Sequence, residues 1–140
     1  MKLNTASQAI SLARKLEEDA ARFYEELAGR DQANAAVLLT FAKENKRFIS
    51  DIQRAYYGVI TDAIEGCFAF DLDEDKYVIS SKAPESSGLK QAIAIEETII
   101  KFYGDAAEQS RSLMCDVPRV FNLVAKKRGQ RLAKLKSMGA

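Results

Sequence analysis

Two stretches of this chain repeat one another. LEEDAARFYEELA (Leu16 to Ala28) aligns without a gap on IEETIIKFYGDAA (Ile95 to Ala107). The alignment sets Glu17 against Glu96, Glu18 against Glu97, Phe23 against Phe102 and Tyr24 against Tyr103. A weaker match sets LLTFAKENKRFISDI against FNLVAKKRGQRLAKL, so that Ala42 meets Ala125, Asn45 meets Arg128 and Phe48 meets Arg131. All four stretches carry apolar residues at helical spacing. A duplicated pair of amphipathic helices predicts two helical hairpins, A–B and C–D, related by a pseudo-twofold axis. With 7 glycines and 2 prolines in 140 residues, long unbroken elements are expected and a many-stranded sandwich is not.

The individual elements follow. Thr5-x-x-Gln8 has the form of a capping box. Helix A is expected over about 5–29, with Ile10, Ala13, Ala20, Tyr24 and Leu27 inward and Gly29 as its stop. Asp31 is placed to cap helix B (32–65), whose stripe runs Leu38, Phe41, Phe48, Ile52 and on toward Ile60. Residues 66–86 lose the helical period and read as a long crossover, with a short extended piece around Tyr77 to Ile79. Helix C (87–111) turns Leu89, Ile93, Ile100, Tyr103 and Ala107 inward, and Pro118 suits the first turn of helix D (117–137). Two short joints and one long middle connection predict a single all-α domain over 1–140, a four-helix bundle with a crossover, of which the ferritin-like topology is one form.

Composition removes several function classes. There is no histidine, which excludes histidine-dependent triads and removes the commonest transition-metal ligand. Cys67 and Cys115 stand apart with no C-x-x-C, so neither a zinc knuckle nor a dithiol redox motif is present. They are expected to be inert thiols. A net charge of +1 points to neither a nucleic-acid binder nor an acidic tail. The opening stretch MKLNTASQAISLARKLEEDAARFY has no continuous apolar run of the kind a secretory leader carries, and no stretch reaches membrane-spanning length. A cytoplasmic protein is the expectation.

Charged residues on the apolar faces carry the functional information. Glu17 shares a stripe with Ile10, Ala13, Ala20 and Tyr24, and Glu96 lies between Ile93 and Ile100. An inward carboxylate in a bundle costs several kcal/mol unless it is protonated, paired or bound to a cation. Each could instead lie at the stripe's edge and snorkel to water, but their matched placement in both repeats favours one shared central site. On helix D, Arg128 and Arg131 fall on the face of Phe121, Val124 and Leu135.

These residues carry a family resemblance. The pattern E-x-x-A-x-x-F-Y, here EEDAARFY from Glu17, resembles the rubrerythrin branch of the ferritin-like superfamily. EETIIKFY from Glu96 is its counterpart on the third helix, with Ile99 in the alanine position, and the crossover segment CFAFDLDEDKYV is also similar to short rubrerythrin-like proteins. The resemblance covers nearly the whole chain. It implies homodimerisation and a di-iron centre that reduces peroxide or dioxygen, held by one Glu each from the first and third helices and a Glu-x-x-His from each of the other two. Glu17 and Glu96 match the single glutamates. The Glu and His positions of helix B hold Asn45 and Phe48, and those of helix D hold Arg128 and Arg131. No Asp, Glu or His follows Asp116, so no shift of register restores helix D.

The expectation is therefore substitution of metal by fixed charge, with Arg128 and Arg131 paired to Glu17 and Glu96, no cofactor, and a binding or scaffold role with an unidentified protein partner. The alternative is an iron-binding oxidoreductase or metal store at a rearranged site of Glu17, Glu96 and Glu44, with Glu18 or Glu97 as further donors. Asp71, Asp73 and Asp75 mimic the start of a calcium loop, but Lys76 and Lys82 stand where its glycine and bidentate glutamate belong, so a solvated acidic turn is expected. Without metal, Tyr24 and Tyr103 read as core aromatics whose hydroxyls need partners. Arg119, Lys126, Lys127, Lys134 and Lys136 make helix D basic, which is read as a solvated face rather than a nucleic-acid surface.

Overall fold

A computed structural model describes residues 2–59, 68–79, 88–110 and 116–138. Among the described residues four helices make the body: α1 (Ala6–Arg30), α2 (Ala35–Val59), α3 (Gly88–Ser110) and α4 (Asp116–Ser137). The fold is all-α, with one short accessory ladder in which β1 (Lys2–Thr5) pairs antiparallel with β2 (Phe68–Asp73). Among the described residues no helix is long and apolar enough to cross a membrane.

The most extensive pairings are α1 with α2 and α3 with α4, followed by α2 with α4 and α1 with α3. Directions follow from which residues meet. Tyr24 reaches Glu96 while Tyr103 reaches Glu17, so α1 and α3 run antiparallel. Arg131 lies over Phe41 while Lys127 lies over Phe48, so α2 and α4 do too. Each hairpin is antiparallel by its own short joint. Hence α2 and α3 run parallel on one diagonal, and the connection between them returns the chain to the opposite end of the bundle.

The burial pattern repeats as the sequence does. Ala13, Leu16, Glu17, Ala20, Phe23 and Tyr24 on α1 are buried, as are their counterparts Ala92, Ile95, Glu96, Ile99, Phe102 and Tyr103 on α3. The inward stripe of α3 differs from the expected one. Leu89, Ile93 and Ile100 are only half-buried, and Ile95, Ile99 and Phe102 are inside instead. The cause is a second packing partner. The crossover lays Tyr77 against Phe102 with ring centroids 5.3 Å apart, and the Tyr77 hydroxyl donates to Asp105 at 2.6 Å. Helix α3 is therefore covered on two sides, which rotates its apolar stripe away from Ile93 and Ile100.

The helix ends also show local differences. Asp31 caps a short 3-10 turn, Gln32–Asn34, that leads into α2, its carboxylate accepting from the Asn34 amide nitrogens at 3.3 and 2.8 Å. Gly29 lies inside α1 with ordinary backbone angles, so it is not a left-handed stop, and the helix continues through Arg30. The crossover is extended at Phe68–Asp73, earlier than the expected piece at 77–79, and Glu74–Tyr77 forms a 3-10 turn. Asp73 caps that turn by accepting from the Asp75 amide at 3.1 Å, a structural use of the acidic run. Ile60, Cys67, Lys82 and Cys115 lie outside the described residues.

Gly104 and Gly129 sit within α3 and α4, and a Cβ added at either would meet nothing within 4 Å. Gly104→Ala and Gly129→Ala should therefore each raise stability by about 0.5–1 kcal/mol in urea denaturation. A loss at either position would contradict the regular helix there.

Candidate functional site

Helical periodicity alone brings the site together. Glu17 and Tyr24 are seven residues apart on α1, hence on one face, as are Glu96 and Tyr103 on α3. Because α1 and α3 pack antiparallel, each tyrosine lands opposite the other helix's glutamate. The Tyr103 hydroxyl donates to Glu17 Oε2 at 2.6 Å, and the Tyr24 hydroxyl donates to Glu96 Oε2 at 2.9 Å. The two bonds exchange when the two hairpins are exchanged.

Arg128 joins the two halves. Its Nε donates to Glu17 Oε2 at 3.2 Å and its Nη2 to Glu17 Oε1, the two-pronged arrangement in which guanidinium and carboxylate match best. Its Nη1 donates to Glu96 Oε2. Arg128, Glu17 and Glu96 are each 0% exposed. Burial alone would weaken the Arg128 charge, but Glu17 and Glu96 outweigh it and hold the guanidinium's pKa above its ordinary value.

One turn further along α4, Arg131 occupies an aromatic cage. Its guanidinium carbon is 4.6 Å from the centroid of Phe41, 5.4 Å from Phe48 and 5.5 Å from Tyr24, within cation–π range of all three. Its Nη1 donates to Asn45 Oδ1, and its Nη2 to the Phe41 carbonyl at 3.3 Å and to Glu44 at 3.2 Å. Its Nε lies 3.7 Å from Glu96 Oε1, an ion pair rather than a hydrogen bond. The central set of two carboxylates and two guanidiniums is thus neutral. Among described buried side-chain atoms, Glu96 Oε1 and Asn45 Nδ2 lack hydrogen-bond partners. Arg131 explains the second, because its Nη1 requires the amide oxygen and so turns the amide nitrogen away.

All six positions expected from the sequence are therefore in one buried cluster: Glu17, Asn45, Phe48, Glu96, Arg128 and Arg131. Glu44 is placed differently from the rest. Its side chain is 45% exposed and binds the outer edge of Arg131, so it does not converge with Glu17 and Glu96. Glu18 is tied to Arg14 on the outer surface at 2.8 Å, and Glu97 is exposed. Two features were not anticipated from the sequence: the reciprocal tyrosine–glutamate bonds and the ring cage around Arg131. The signal for the first was present, since an antiparallel pair of repeats sets residue seven of one against residue zero of the other.

A di-iron centre does not fit this donor set. The two central carboxylates are already engaged by guanidinium and phenol, the other positions offer an amide, a phenyl ring and two cations, and the chain has no imidazole. Among the described residues no three His, Cys, Asp or Glu side chains gather to hold a metal. No protein-family profile, curated protein or solved structure matches the chain.

Both buried tyrosines are held well above the ordinary phenol pKa. Burial is the largest cause for each, followed by the carboxylate it faces, Glu96 for Tyr24 and Glu17 for Tyr103. Burial and the bond to Asp105 raise Tyr77 as well. A raised folded-state pKa stabilises fully below the unfolded value of about 10, and that contribution is lost as pH rises beyond it. In a tyrosinate absorbance titration, three of the five tyrosines should stay protonated at pH about 11 and ionise only together with loss of helical circular dichroism. Reversible ionisation of all five near pH 10 in the folded chain would contradict the buried bonds.

Proposed function

We propose that this chain is a rubrerythrin-like, ferritin-like bundle that has lost its di-iron site and its redox catalysis. A Glu/Arg charge cluster stands in place of the metals, and the protein acts in binding or scaffolding. The observation that carries this reading is Arg128, a fixed cation bonded at once to Glu17 and Glu96, the two residues that match the family's single glutamates. A divalent ion beside two guanidiniums would be repelled, because the two carboxylates that would attract it are already paired with those guanidiniums.

Further support comes from topology and from the duplication. Antiparallel neighbours with a parallel α2–α3 diagonal are what a long crossover between two hairpins produces, and the ferritin-like arrangement has that form. The repeats keep their common Glu and Tyr and differ at the positions where the family's Glu-x-x-His would stand. A homodimer accompanies this reading, as the resemblance implies, and the cytoplasm is the location proposed for it.

Metal analysis of the purified protein, followed by anaerobic Fe(II) titration and a peroxide challenge, tests the proposal. Iron far below one atom per chain and no peroxide turnover are expected. About two irons per chain with turnover would overturn it, and so would a single tight iron lost on Glu17→Gln. Restoring the family's pattern with Asn45→Glu, Phe48→His, Arg128→Glu and Arg131→His together should create iron affinity that the parent chain lacks.

A further inference from the structure

Between α2 and α4 runs a groove of about 390 Å³, whose walls include Phe41, Glu44, Arg47, Phe48, Lys127 and Lys134. Its floor is the outer side of the Arg131 cage, so it opens directly onto the charge cluster. Four cations face one carboxylate, Glu44, which is already bonded to Arg131. Among the described residues, Arg47, Lys127 and Lys134 make no ion pair with a carboxylate. Lys127 instead lies over the Phe48 ring at 6.0 Å. The groove therefore combines three cations that have no carboxylate partner among the described residues with the edges of two buried phenyl rings, within the size range of small-ligand sites.

The chemistry selects one class of ligand. A monocarboxylate would leave most of the positive charge unbalanced, and a neutral apolar molecule would bury cations without partners. A dianion with a small apolar body satisfies both the charges and the lining, since Arg and Lys recognise phosphate oxygens and the body meets the ring edges that reach the groove beside the lysine stems. We propose that this groove binds a small organic phosphate, with Arg47, Lys127 and Lys134 on the phosphate and Phe41 and Phe48 against the organic part. Arg131 is the rigid floor, held by Glu44, Asn45 and its ring cage. The proposal rests on reading the bundle as a binding protein and names what one of its surfaces would bind.

Calorimetric titration of the full chain with phenyl phosphate, inorganic phosphate and a single-stranded oligonucleotide tests it. The expected result is saturable one-to-one binding of phenyl phosphate, tighter than inorganic phosphate. Arg47→Glu and Lys127→Glu, both at exposed positions, should each weaken it by roughly tenfold or more. Lys43→Glu, an exposed cation on α2 outside the groove, should change it by less than about threefold. No heat with phenyl phosphate, or equal weakening by Lys43→Glu, would overturn the site. An oligonucleotide that binds where phenyl phosphate does not would overturn it too, and would assign the phosphates to a polymer. Failure here leaves the metal-free reading untouched, because iron content decides that separately.

Discussion

Arg128 is the residue on which the rest of this bundle depends. Two carboxylates at the centre of a four-helix protein are tolerable only if something cancels their charge, and α4 delivers that cation to both at once. The isolated cost of burying such ions is large, so the arrangement holds only while the set stays complete. Tyr24 and Tyr103 each add a hydrogen bond to one of the carboxylates, and Arg131 brings the central charge to zero. The cluster is thus a closed unit that ties all four helices together, with Asn45, Phe41 and Phe48 contributed by α2.

The duplicated architecture explains why this unit is half symmetric. Helices α1 and α3 present the same Glu and Tyr to each other, and an antiparallel crossing converts that identity into two reciprocal bonds. Helices α2 and α4 break the symmetry, with amide and phenyl on one and two guanidiniums on the other. A neutral set with two negative charges from the symmetric helices needs two positive charges from the others. Placing both on α4 leaves α2 free to supply the ring cage. The same choice makes the α2–α4 seam basic and aromatic, which is where the groove lies.

Much of this was legible in the sequence because helical period and repeat register carry it. The stripe of α1, the inward arginines of α4 and the matching of Asn45 to Arg128 all follow from spacing alone. What spacing could not supply was anything dependent on the crossover. Tyr77 and its bond to Asp105 cover a second side of α3, which is why Ile93 and Ile100 lie farther out than a bundle-only reading places them. The β1–β2 ladder was missed for a related reason, since four residues of strand before a helix carry too little pattern to stand out. Glu44 shows the finer limit: one step along α2 from Asn45 turns a side chain from the core to the groove's rim.

A comparison of stabilities tests the central claim most directly. If Arg128 is the counter-ion of two buried carboxylates, Arg128→Met alone leaves them uncompensated and should cost about 3–5 kcal/mol in chemical denaturation. Replacing the whole set by apolar residues (Glu17→Leu, Glu96→Leu, Arg128→Met and Arg131→Met, with Tyr24→Phe and Tyr103→Phe to remove the orphaned hydroxyls) should cost clearly less than the single change. A single variant that loses no more stability than the six-fold one would contradict the account.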